Sequence, residues 1–451
     1  MSKPAVRHYI AGDVVDAADV DYGPFTAPTI DVDRLYWPRQ EPCPAADVKT
    51  AEIIDLLDEL GRRLDIETNG YLREALELSM ALGDHDRRIL DNSYRGFRRV
   101  FNRESLQFTV DQQIGEAYLD GWVSVPTPGG RTAEVRAYPP RLVHIVAGNA
   151  PMITAQTIAW GGLTKGVHLM KLPSNDPFTA SAILQTLAEI EPGHPLTKSF
   201  AAVYWRGGDE TIEGVLFRAQ FYDKLVAWGG DAAIRGAMRY VGPGFHLLSF
   251  DPKVSMSIVG SGTFATPKSM ADAAERCAID ATVMNQDACA ASRFVYAEGD
   301  DDQLEGWCKE LAAQLAIDRR TSAGKGRPTP DEIRQESQAL AELGEVQLFG
   351  DFQGSGLVIL SDDPVPFTPE AKTVNVVRVP SVVDAVRFAN VATQTVGVYP
   401  PEVADQVRDP LAAAGVQRVV TLGEVSGAVF GLPHDGFYPV HQMVRWLVCE
   451  K

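Results

Sequence analysis

VHLMKLPSNDPFTASAILQTLAEI, Val167–Ile190, decides the fold. Three of its first four residues are apolar, a run too short for a helix. They run into Lys171 and a proline turn, as a buried strand does when it reaches a loop. Asp176 then opens a stretch with apolar residues at helical spacing. The same strand–turn–helix order recurs on both sides. YPPRLVHIVAGNAP (Tyr138–Pro151) is a strand closed by Gly148, FAAVYWRGG (Phe200–Gly208) is a strand and turn, and YDKLVAWGGDAAIRGAM (Tyr222–Met238) is strand, Gly-Gly turn and helix. FHLLSF (Phe245–Phe250) and VSMSIVG (Val254–Gly260) add strands. Strands alternating with helices predict a parallel sheet in an α/β fold. Upstream, AEIIDLLDELGRRL (Ala51–Leu64) and NGYLREALELSMAL (Asn69–Leu82) predict a helical N-terminal segment.

With 451 residues, 45% of them hydrophobic, the chain can bury the cores of two or three domains. A formal net charge of -18 argues against nucleic acid or an anionic membrane surface as partner, since both require a basic footprint. No apolar run reaches the ~20 residues of a membrane span. The first residues lack the apolar core of a secretory signal. The five cysteines, Cys43, Cys277, Cys289, Cys308 and Cys449, form no CxxC pair, so no zinc or dithiol motif is expected and a reducing cytoplasm is the simplest setting.

Five places carry candidate chemistry. MNQDACAASRFVYAEG (Met284–Gly299) sets Cys289 in a polar turn before a strand. It is either a small core filler or a nucleophile. Asn149 in Gly148–Pro151 is a turn residue or an amide donor to an oxyanion. Lys171 is a solvated strand end or, at the carboxyl edge of a parallel sheet, a cofactor contact. Gly229-Gly230 before a helix lets a phosphate approach backbone amides. His434-Asp435-Gly436 is a turn, or His434 serves as an acid beside a thiol. Lys325–Pro330 reads as an exposed loop.

Their order resembles the aldehyde dehydrogenase superfamily: an Asn-x-Pro loop, a strand-end lysine, a glycine turn opening a helix, then a cysteine in NQDACAASR (Asn285–Arg293). HIVAGNAP, WGGDAAI, QTVGV (Gln394–Val398) and HDG…VRWLV are similar to the LuxC-like acyl-CoA reductase branch, over about Tyr71 onward. The resemblance implies a Rossmann-type cofactor domain and an α/β catalytic domain behind a helical N-terminal segment. The expected divisions are 1–110, largely helical, 111–255 for cofactor, 256–425 for the nucleophile, and 426–451 returning to the cofactor domain or an oligomer interface. It implies NADPH-dependent reduction of an acyl thioester to an aldehyde, with coenzyme A or a carrier thiol leaving. Cys289 is then the nucleophile, Asn149 the oxyanion donor, His434 a catalytic partner, and Lys171, Ser174, Gly229 and Gly230 the cofactor contacts; no metal is implied. A homo-oligomer and an acyl-activating or acyl-carrier partner are also expected. Two departures stand out. Leu172 interrupts the superfamily's Lys-Pro-Ser, and Ser249 falls where oxidising members carry a glutamate base. An aldehyde-oxidising enzyme and a non-catalytic acyl-holding subunit are the alternatives.

Overall fold

The computed structural model describes residues 3–83 and 86–450, and it divides the chain into two compact units: Met1–Asp251 with Val429–Lys451, and Pro252–Ala428.

The first unit is built on a seven-stranded sheet. Its order is His246–Phe250, Lys224–Trp228, Arg141–Ile145, Val167–Lys171, Phe200–Val203, His8–Ile10, Asp13–Val15. The first five run parallel, and the last two form an antiparallel hairpin on the edge. Four of those five are buried runs rather than alternating ones, as strands covered on both faces must be, and the edge strand His246–Phe250 is half-exposed. The direction of winding reverses between Arg141–Ile145 and Lys224–Trp228, which is where a doubly wound sheet opens a crevice at its carboxyl ends.

Helix Pro151–Thr164 covers one face and is buried on almost every side, with proline preset at its first turn. Helices Thr50–Arg63 and Thr179–Ile190 pack with it into the largest core, through Ile53, Leu57, Leu60, Ile158, Ile183 and Leu187. Thus the residues of the N-terminal helices share one core with the first sheet. An internal ion pair ties them together. Lys165 is only 1% exposed and lies 2.5 Å from Asp120, which also accepts from the backbone and hydroxyl of Thr50 at 2.9 and 2.6 Å. A small three-stranded sheet, Arg445–Glu450, Thr132–Tyr138, Val123–Pro126, completes this unit.

The second unit has its own seven-stranded sheet, ordered Val346–Asp351, Gly356–Ser361, Thr373–Arg378, Ser292–Ala297, Val254–Val259, Thr393–Tyr399, Arg418–Thr421. All pairs are parallel except the first. Helices Pro267–Ala281 and Asp301–Leu315 bury Ala273, Ala274, Cys277, Ala278, Leu304, Trp307, Cys308 and Leu311 against one face. A capping box at Thr266 and Ser269 starts the first of these helices, and one at Asp300 and Gln303 starts the second.

Candidate active site

In the first unit, the predicted residues gather at the carboxyl edge of the large sheet. Asn149 is exposed in the loop after Arg141–Ile145. The preceding Gly148 admits no side chain: a Cβ there would fall 1.7 Å from Asn175 Oδ1. The loop therefore lies pressed on the Pro173–Asn175 turn, where Ser174 is exposed. Gly229 and Gly230 lead from Lys224–Trp228 into helix Asp231–Met238, whose first turn has no side-chain cap. Ala233 N is taken by Gly230 O at 3.0 Å, and the Asp231 and Ala232 amides of this first turn are the ones left to an acceptor.

Lys171 ends its strand beside a second glycine turn. Its Nζ lies 5.6 Å from the Trp205 ring centroid and 3.6 Å from where a Cβ on Gly207 would stand. Burial pushes its pKa down and the Glu213 charge pulls it back up. Buried Glu213 accepts from Trp205 Nε1 at 3.0 Å, Gly208 N at 3.1 Å and Tyr240 OH at 3.0 Å, which fixes the wall around the lysine. Arg239 Nη2 lies 4.0 Å from a Cβ position on Gly208, so two cations border this turn. Leu172, the departure from Lys-Pro-Ser, is fully buried and donates its N–H to Val203 O at 2.9 Å. It prolongs the ladder, and the lysine stays at the strand end.

His434 belongs to this unit too. Asp435 and Gly436 have φ of 51° and 84°, and His434 and Phe437 exchange backbone bonds of 2.9 and 3.2 Å. This is a two-residue hairpin turn with both central residues left-handed. The imidazole sits edge-on to Trp228 and Phe250, with ring centroids at 5.4 and 5.5 Å, and its Nδ1 is 3.3 Å from Asp435 Oδ1. Ser249 pairs in register with Ala227. Leu248 and Phe250 pack on one core and Leu247 on the other, so strand alternation turns Ser249 away from the face His434 touches.

In the second unit, Cys289 is exposed in the turn before strand Ser292–Ala297. Three consecutive residues ahead of it, Met284, Asn285 and Gln286, take φ of 54°, 54° and 75°. Left-handed backbone costs roughly 1–2 kcal/mol per non-glycine residue. The surroundings hold each one. Met284 N donates to Thr321 O at 2.8 Å, Asn285 Oδ1 accepts from Ala323 N at 2.8 Å, and Gln286 Nε2 donates to Thr373 O at 2.8 Å. Arg293 Nη2 donates to Gln286 O at 2.9 Å. The cysteine itself is anchored through strand Thr393–Tyr399. Its Sγ donates to Gln394 Oε1 at 3.4 Å, and Ser255 Oγ donates to Cys289 O at 2.9 Å while accepting from Thr395 N at 3.2 Å. The left-handed backbone ahead of the exposed thiol is thus held in place by surrounding bonds. Cys277 and Cys308, by contrast, are buried in a helix–helix core, and burial pushes both thiols up.

The family model described as Acyl-CoA reductase (LuxC) matches residues 45–446. The chain belongs to the LuxC acyl-CoA reductase family. A long-chain acyl-protein thioester reductase of Aliivibrio fischeri is 31% identical over 410 residues, covering 89% of this chain and 82% of that one. Among solved structures, a NAD-dependent benzaldehyde dehydrogenase from Corynebacterium glutamicum superposes with a TM-score of 0.72 at 14% identity, covering 99% and 98% of the two chains. An NADP-dependent glyceraldehyde-3-phosphate dehydrogenase from Bacillus halodurans C-125 gives 0.71 at 15% identity, over 100% and 99%. The fold is therefore the two-domain α/β fold of the aldehyde dehydrogenases, and this LuxC-family chain is an acyl reductase of that type. The family match begins at residue 45, earlier than the sequence motifs alone indicate.

In this LuxC-family protein the sequence motifs marked the Cys289 turn but not the residues that support it. Gln394 and Ser255 touch the cysteine from strands distant in sequence. The QTVGV stretch was the available signal for Gln394. Glu213 and Trp205 around Lys171 gave none.

Proposed function

We propose that the chain reduces an acyl thioester to an aldehyde with NADPH, through an acyl group carried on Cys289. The observation that carries this reading is the exposed Cys289 thiol on a turn of three enforced left-handed residues, bonded to Gln394. The sulfur forms a thioester to the acyl carbon as the donor's C–S bond breaks. The thiol proton of Cys289 leaves with the departing thiol, so the exchange balances without a further reactant. Asn149 is the side-chain donor to the oxyanion.

The first unit has features that fit a nicotinamide dinucleotide. They are the switch point, the uncapped amides after Gly229-Gly230, and Lys171 with Arg239 beside Gly207-Gly208 as cations for a 2′-phosphate. Ser174 borders the same edge. Such a cofactor supplies a hydride when bound. After reduction at the carbonyl carbon, Cys289 departs as the thiol and aldehyde is released. His434, with Asp435 beside Nδ1, is the group for handling a proton in this step.

The family description names acyl-CoA, and the Aliivibrio relative is named for long-chain acyl-protein thioesters. We carry both donor classes to this chain, with coenzyme A or a protein thiol as leaving group and an acyl-activating or acyl-carrier protein as partner. All five cysteines are free, which suits a reducing cytoplasm, and no helix among the described residues is long and apolar enough to cross a membrane. Trp446 and Val448, 38% and 59% exposed on the three-stranded sheet, suit a homo-oligomer interface.

The test is direct. Acyl-CoAs of graded chain length with NADPH should give aldehyde in step with loss of reduced cofactor. Labelled acyl chased without cofactor should map to Cys289. Acid as the product, or label on another residue, rejects the reading.

A further inference from the structure

One loop of the second unit is stitched to Thr282–Asp287, the segment that precedes Cys289 in sequence. Thr282 Oγ1 donates to Ser322 Oγ at 3.1 Å, Met284 N to Thr321 O at 2.8 Å, and Ala323 N to Asn285 Oδ1 at 2.8 Å. Arg327 Nη2 pairs with Asp287 Oδ1 at 3.1 Å. The loop is RRTSAGKGR, Arg319–Arg327, with four basic residues and no acidic one, in a chain of net charge -18. Asp318 precedes it, and its Oδ1 is taken by Gly324 N at 2.6 Å.

The four cations have different fates. Arg319 donates to Gln314 O at 2.7 Å and Gln314 Oε1 at 3.0 Å, holding the end of helix Asp301–Leu315. Arg327 is committed to Asp287. Arg320 and Lys325 are exposed and, among the described residues, form no ion pair. Beneath the loop, a fifth cation is buried: Lys372 Nζ donates to Ala323 O and Gly324 O at 2.9 Å each. Its pKa is pushed down to about 8 by burial, with the Arg319 charge adding to the effect. Crowding like charges costs stability. Here the crowding lies on the segment that leads in sequence to Cys289, with the loop backbone fixed from one side by Thr282–Asp287 and from below by Lys372. Asn285, to which the loop bonds, is four residues from Cys289, at most about 14 Å of chain.

We infer that Arg320 and Lys325 form an anion-binding strip that takes the phosphate of the acyl donor's phosphopantetheine arm. The chemistry recognised is a phosphate ester at the far end of the flexible arm that carries the thioester sulfur. The same arm occurs in coenzyme A and on acyl-carrier proteins, so the strip serves either donor. This inference rests on Cys289 being the acyl acceptor.

The test uses the whole protein without reduced cofactor and measures the acylation rate of Cys289 by intact mass. The donors are acyl-CoA, acyl-phosphopantetheine and acyl-pantetheine, which lacks phosphate. For Arg320→Ala with Lys325→Ala, the ratio of acyl-phosphopantetheine to acyl-pantetheine rate constants at subsaturating donor should fall ten-fold or more. The gap between the unaltered and altered proteins should close as salt rises, as for any exposed charge contact. An equal fall with acyl-CoA and acyl-phosphopantetheine supports the pantetheine phosphate as the group read. A fall confined to acyl-CoA overturns that assignment in favour of its nucleotide end. An unchanged ratio overturns the strip, as does a matching fall with all three donors, which would report a damaged turn. NADPH affinity, measured by fluorescence titration, should hold; its loss would place the loop on the cofactor's phosphates instead. No acyl on Cys289 from any donor would reject the thioester-reductase reading, whereas normal acylation indifferent to these charges rejects this inference alone.

Discussion

Cys289 Sγ donates to Gln394 Oε1 at 3.4 Å, across 105 residues of sequence. An amide oxygen in that place stabilises the neutral thiol over the thiolate. Gln394→Glu puts a negative charge there, and a like charge at this range disfavours the thiolate. The pH midpoint for alkylation of Cys289 by iodoacetamide should rise by at least one unit in Gln394→Glu and fall slightly in Gln394→Leu. Shifts of the same sign in both variants would show that the contact is not made in solution.

Asn149→Ala should lower kcat by ~10²–10³ with KM little changed, the usual cost of one oxyanion donor. Steady-state rates over a range of acyl-CoA concentrations check it. A change confined to KM would leave Asn149 a turn residue.

Ser249 places a hydroxyl rather than a carboxylate on its strand, and a hydroxyl does not take a proton from water without a base of its own. The acyl-enzyme should persist for long periods without reduced cofactor. Ser249→Glu should divert it to free acid, within the ~10²–10⁴-fold that a positioned base contributes. Acid release is read by chromatography, and rapid acid formation by the unaltered protein would reveal another base.

Asp120→Ala should destabilise the first unit by about 3–5 kcal/mol, because it leaves the buried Lys165 ammonium without its carboxylate. Asp120→Leu combined with Lys165→Met should cost less than that single change. Urea midpoints of the three proteins decide it.

Acid should act oppositely on the two units. In the first, burial pushes His8 down to about 4, His168 down to about 3 and His144 well below its ordinary value. The unfolded chain takes up these protons near pH 6.5 and the folded one does not. Stability is therefore full above that pH and falls by about 1.4 kcal/mol per pH unit per histidine from 6.5 to about 4. In the second unit, Asp280 accepts from Gly423 N at 2.7 Å and Val425 N at 3.2 Å, yet burial raises it to about 7. Folded Asp280 holds a proton that the unfolded chain releases, so its contribution grows as pH falls from 7 towards 4. Hydrogen exchange at pH 6.5 and 5.0 should show protection lost in the sheet around His144 and kept around Asp280.

What the sequence could show was local. Val167–Lys171 and Lys224–Trp228 are short buried runs closed by turn residues, and both are strands where expected. Asp435-Gly436 reads as a turn and forms one. The Met284–Gln286 backbone was not legible, since none of the three is glycine and the bonds enforcing their angles come from residues 293, 321, 323 and 373. Nor was the setting of His434, whose ring neighbours Trp228 and Phe250 lie about two hundred residues upstream. Periodicity reports which face a residue presents; it carries no record of which distant segment meets that face.

The chain leaves the first unit at Asp251 and re-enters it at Val429. A ribosome therefore adds every residue of the second unit before it adds strand Arg445–Glu450. Until then, Thr132–Tyr138 shows an open backbone edge, a template for pairing with a neighbouring nascent chain. A chain that lacks Arg445–Glu450 would carry the second unit's residues tethered to a first unit with that edge unpaired, so pairing of this strand is what closes the aggregation hazard.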